Sequence, residues 1–116
     1  MIAVLVAALF LGHHSFAADF DITKPVTLTG RVSKIEWTNP HVHIYLDVKT
    51  DQWSIELGSP NGLRGRGWTQ NTLKAGDVVT IEGSRAKDGS RLANARVVVL
   101  PGGTRLQTGS PQGKTS

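Results

Sequence analysis

The sequence contains no cysteine, a single methionine at position 1, and no long apolar run after Leu11. The missing cysteines exclude a disulfide framework, thiol catalysis, and cysteine-based zinc or iron–sulfur sites. The one apolar run, residues 2–11, is too short to span a bilayer. The net charge of +4 is spread between Lys24 and Lys114 with no dense basic tract, which reads as solubility rather than as a nucleic-acid surface. No nucleophile elbow surrounds Ser15, Ser54 or Ser59, no glycine loop matches a phosphate cradle, and Glu36 with Glu56 reads as two strand glutamates. An enzyme is not expected.

The chain has 116 residues. Residues 1–12 have the length and apolar character of the h-region of a secretion signal, so a periplasmic or secreted protein without a membrane span in its mature form is expected. Cleavage after Gly12 would make His13 the first residue; Ser15-Phe16-Ala17 offers an alternative site, and cleavage after Ala17 would discard both His13 and His14. Residues 102–116, rich in glycine, serine and threonine with only Leu106 large and apolar, are expected to be a disordered tail. That leaves one domain, residues 19–101.

Within it the apolar residues alternate with period two, the signature of strands. Val26, Leu28 and Val32 occupy even positions whereas Ile35 and Trp37 are odd, which predicts a long first strand with a bulge near Ser33 and Lys34. Asn39-Pro40 breaks the ladder. Val42, Ile44, Leu46 and Val48 then line one face of a second strand whose other face carries His41, His43, Tyr45 and Asp47. Trp53, Ile55 and Leu57 mark a third strand, with Ser54 and Glu56 outward. Ser59 before Pro60 is a helix start, and Leu63, Trp68 and Leu73 are its expected anchors. Val79 and Ile81 define a fourth strand, Asp88-Gly89 a tight turn, and Ala93, Ala95, Val97 and Val99 one face of a fifth. Five strands with a short helix or turn between the third and fourth match the order of an all-β, OB-type barrel.

The segments His13-His14-Ser15-Phe16, Glu36-Trp37-Thr38-Asn39-Pro40-His41, Glu56-Leu57-Gly58-Ser59-Pro60-Asn61, Arg66-Gly67-Trp68 and Ala93-Asn94-Ala95-Arg96 resemble the DUF6152 family of small exported bacterial proteins of unknown function. The resemblance implies export and a small β domain, and no activity. His13, His14 and His41 fall on matching positions. Position 43 is a tryptophan in the family pattern, so the resemblance lends no role to His43.

With cysteine absent, the four histidines are the borderline-soft donors of this chain. His41 and His43, two residues apart on one strand face, have Cα atoms roughly 6.6 Å apart, so both rings can reach one ion. If the mature chain begins at His13, its α-amine and imidazole form a chelate suited to Cu(II), with His14 or a strand histidine as a third nitrogen. The expected metal set is therefore His13, His14, His41 and His43, with copper as the expected ion. The plainer roles are a ring–backbone hydrogen bond for His41 and surface filling for His43. The alternative function is a metal-independent OB-type module that binds a peptide, a glycan or an envelope protein through an outer face bearing Trp37, Asn39, Tyr45 and Glu56.

Overall fold

The structure, a computed structural model, describes residues 15–111. The expected leader, with His13 and His14, and residues 112–116 of the expected tail lie outside the described residues. The order of elements is α1 (Phe16–Asp19), β1 (Phe20–Glu36), β2 (His43–Val48), β3 (Asp51–Glu56), α2 (Pro60–Arg64), β4 (Val78–Ala86), β5 (Leu92–Val99) and β6 (Arg105–Gln107). The strands form one six-stranded sheet in the order β3-β2-β1-β4-β5-β6. A parallel pairing of β3 with β5, at Ser54–Leu92, Ile55–Ala93 and Glu56–Asn94, joins the first five strands into a ring. Among the described residues, no helix is long and apolar enough to cross a membrane.

The 17-residue β1 makes the ring possible. Its first part pairs with β4 and its second with β2, and the β2 register slips between Val32 and Lys34, where the change of apolar parity predicts a bulge. The extra residue there returns Ile35 to the core side and increases the local bend. Val42, Ile44 and Leu46 from β2 and its approach, and Trp53, Ile55 and Leu57 from β3 and its end, are buried inside the ring with Val79 and Ile81. The helix start behaves as its residues dictate. Ser59 Oγ accepts from the Gly62 N–H at 3.0 Å, Pro60 occupies the first turn, and Leu63, Trp68 and Leu73 hold the segment against the core.

Two expectations need correction. Along β5 the core side is Ala93, Ala95 and Val98, not Val97 and Val99, because the register with β4 slips between Glu82 and Gly83 and Arg96 becomes the additional residue. The second concerns the tail. Arg105–Gln107 form a sixth strand on β5, and Thr108 and Ser110 are buried. Polar bonds, rather than apolar side chains, fasten this segment. The Gly58 N–H donates to Thr108 O at 2.9 Å, Thr108 Oγ1 donates to Ala95 O at 2.5 Å, Trp68 Nε1–H donates to Gln107 O at 2.9 Å, and Ser110 Oγ donates to Asn94 Oδ1. Counting apolar residues misses such a segment because its order comes from satisfied backbone and hydroxyl groups.

Candidate functional site

The outer face of the ring gathers polar groups at one end of β2 and β3. His43 begins β2 and stands directly opposite Glu56, the last residue of β3; Glu56 in turn stands opposite Asn94 on β5. Their strand neighbours Ile44, Ile55, Ala93 and Ala95 fill the core, so alternation turns His43, Glu56 and Asn94 outward in a row. His41, two residues before His43, extends the row beyond the strand end. Together these residues line a cavity of about 840 Å³. Its opposite wall is Ser15, α1 and the start of β1, where Phe16 and Phe20 stack with ring centroids 5.5 Å apart, and Pro111 closes another side.

The lining combines aromatic and aliphatic walls with two carboxylates, Asp19 and Glu56, and two imidazoles; among the described residues, no lysine or arginine borders it. His41 is held by its Nδ1, which lies 3.0 Å from Leu57 O and 3.4 Å from Glu56 Oε1. Both partners are acceptors, so Nδ1 carries the hydrogen and, in the neutral ring, the lone pair falls on Nε2. The expected ring–backbone bond of His41 is thus present, to Leu57 O across the strand end. It leaves the other nitrogen available. Among the described residues, no three His, Asp or Glu side chains converge as a ready metal cage.

The remaining expected binding residues lie apart from this cavity. Tyr45 sits further along β2, where its hydroxyl donates to Glu36 Oε1 at 2.6 Å and Lys34 Nζ lies 5.8 Å from its ring centroid. That hydrogen bond, ahead of the nearby Lys34 charge, draws the Glu36 pKa below its ordinary value, and the same bond raises that of Tyr45. Trp37 packs at the rim of the core with the Arg64 guanidinium 5.7 Å from its ring; its Nε1–H is buried and meets no acceptor among the described residues. Asn39 is exposed in the turn before His41 and does not line the cavity. The structure therefore brings together His41, His43 and Glu56, and separates Trp37, Asn39 and Tyr45 from them. Phe16, Asp19 and Asn94 are cavity residues that sequence reasoning missed. Alternation alone turns Asn94 outward, but only the parallel β3–β5 register sets it beside Glu56.

The molecule is thus a mostly β protein in which a ring of five strands carries a lined cavity on its outer face. The chain belongs to a family of unknown function, DUF6152, which matches residues 2–95. No curated protein matches it. Among solved structures it is similar to TiaS in complex with tRNA(Ile2) and ATP, with 23% identity and a TM-score of 0.53 over 69% of this chain and 18% of that one. It is also similar to a ZRD-deleted mutant of TiaS in complex with agmatine, with 23% identity and a TM-score of 0.52 over 69% of this chain and 22% of that one. The likeness is one of fold, and the chain corresponds to a small part of those proteins.

Proposed function

We propose that this protein is an exported, periplasmic metal-binding module, built on an OB-type barrel, that holds a transition-metal ion, copper foremost, through histidines at the outer-face cavity. The strand ring 1-2-3-5-4 with a helix between β3 and β4 supports the barrel reading. One observation carries the metal reading: His41 and His43 line one cavity together with the carboxylates of Asp19 and Glu56. Two strand imidazoles and two from the N-terminal pair supply a nitrogen-rich set of the kind Cu(II) prefers, and cleavage after Gly12 adds the α-amine of His13.

The test is native mass spectrometry of the mature protein exported by a Gram-negative host, with and without Cu(II). One bound copper is expected, on a chain beginning at His13. His41→Ala and His43→Ala together should reduce copper affinity at least about tenfold. Unchanged binding in that double variant, or a chain beginning at Ala18 that still binds copper equally well, sinks the proposed ligand set.

A second reading has its own support. A cavity of about 840 Å³ walled by Phe16, Phe20 and Leu92 has room for far more than an ion. A peptide, glycan or envelope-protein side chain bound there without metal would be indifferent to chelators. Nucleic acid is not proposed, because among the described residues no lysine or arginine borders the cavity to neutralise phosphate.

A further inference from the structure

We propose that the outer-face cavity takes an organic cation, a protonated primary amine on an apolar stem, with the ammonium between Asp19 and Glu56 and the stem against Phe16, Phe20 and Leu92. The proposal rests on the metal-independent reading above and names the chemical class of its occupant.

The charges in this cavity run against those of the chain. Lysine and arginine outnumber aspartate and glutamate by 13 to 9, yet the lining holds two carboxylates and, among the described residues, no lysine or arginine. The carboxylates stand on facing walls, since Asp19 ends α1 and Glu56 ends β3. Among the described residues Asp19 makes no ion pair, and the Glu56 side chain, 18% exposed, meets only His41 Nδ1 at 3.4 Å. That nitrogen lies closer to Leu57 O, at 3.0 Å, so its one hydrogen is shared with a backbone carbonyl. A carboxylate withdrawn from water is costly unless a cation accompanies it. A cation seated between the two walls supplies what the lining does not.

Size and lining then select the kind of cation. The volume of about 840 Å³ falls within the roughly 300–1,000 Å³ of small-molecule sites, and a bare ion would leave most of it unfilled. The stacked rings of Phe16 and Phe20, with Leu92, Pro40 and Pro111, offer apolar surface to a hydrocarbon stem. An ammonium has three N–H donors and no acceptor, so separate hydrogens can meet carboxylates on separate walls. An organic anion of the same size would meet two like charges, and a neutral alcohol would leave the carboxylates without a counter-charge.

Titration calorimetry of the purified protein with hexylamine, hexanol and hexanoate, three probes of one stem and different head groups, tests this, with EDTA present. Hexylamine should bind at least about tenfold more tightly than hexanol, and hexanoate should give no detectable binding. Asp19→Asn together with Glu56→Gln keeps the shapes and removes both charges. It should erase the preference for amine over alcohol while the circular dichroism spectrum stays unchanged. A Gly-Lys-Gly peptide blocked at both ends that binds as tightly as hexylamine assigns the amine to a lysine of a protein partner; one that binds much more weakly assigns it to a free amine, and either result supports the proposal. Equal affinities for hexylamine and hexanol, no binding of hexylamine, or an amine preference that survives in the double variant overturns this inference and leaves the metal-independent reading standing. Hexylamine binding that requires Cu(II) and vanishes with EDTA overturns both.

Discussion

A single phenol draws the carboxylate beside it toward its ionised form. The Tyr45 hydroxyl, 2.6 Å from Glu36 Oε1, favours the ionised carboxylate and disfavours ionisation of the phenol, and both pKa values move accordingly. Since the Glu36 pKa is lower in the folded chain than in the unfolded one, the bond stabilises the fold above the unfolded value and is lost as pH falls through the lowered one. Tyr45→Phe should raise the Glu36 midpoint toward that of an ordinary glutamate in a carboxyl NMR titration; an unchanged midpoint would assign the shift to Lys34 and His43 instead. Alternation along β2 puts Tyr45 and His43 on one outer face, and to that extent both were legible. Their different roles were not, because Glu36 reaches Tyr45 only through the β1–β2 register, which shifts at Ser33, and Glu56 flanks His43 through the separate β2–β3 ladder.

At the scale of elements, the places where two backbones touch are the least tolerant. A Cβ on Gly83 in β4 would overlap the Asn94 carbonyl oxygen of β5, backbone against backbone. Gly83→Ala should therefore cost about 3 kcal/mol or more in urea unfolding, and a cost near zero would mean that the β4–β5 bulge can move. Thr108 presents the complementary case. Its hydroxyl donates to Ala95 O and accepts from the Ser110 N–H at 3.3 Å, at a fully buried position. Thr108→Val keeps the shape and removes both bonds, for an expected loss of about 1–2 kcal/mol measured in the same way. β2, β3 and the Ser59-Pro60 helix start were readable because parity and capping are local signals. The β4–β5 slip at Arg96 and the strand at 105–107 were not, since both depend on partners far away in the chain.

For the molecule as a whole, closure of the ring and attachment of the C-terminal segment are one problem, because the Gly58 N–H beyond β3 and the Ala95 carbonyl on β5 are both satisfied by Thr108. Deleting residues 102–116 removes β6, uncovers β5 and leaves those groups unpaired. The melting temperature followed by circular dichroism should fall by roughly 8 °C or more, the equivalent of about 2 kcal/mol in a domain of this size. An unchanged melting temperature would show that water replaces those partners without loss. The number and order of the first five strands could be read from apolar parity and turn residues, whereas the parallel β3–β5 seam carries no mark in the residues that form it. That seam and its surroundings also determine when the cavity can exist. One wall is Ser15 with α1, another is Pro111, and the floor comes from strands between them. A chamber bounded by both ends of the described chain is assembled only after the last of these residues has been synthesised. Whatever occupies it must then be acquired by the finished protein rather than by the growing chain, so an occupant cannot serve as a nucleus for folding.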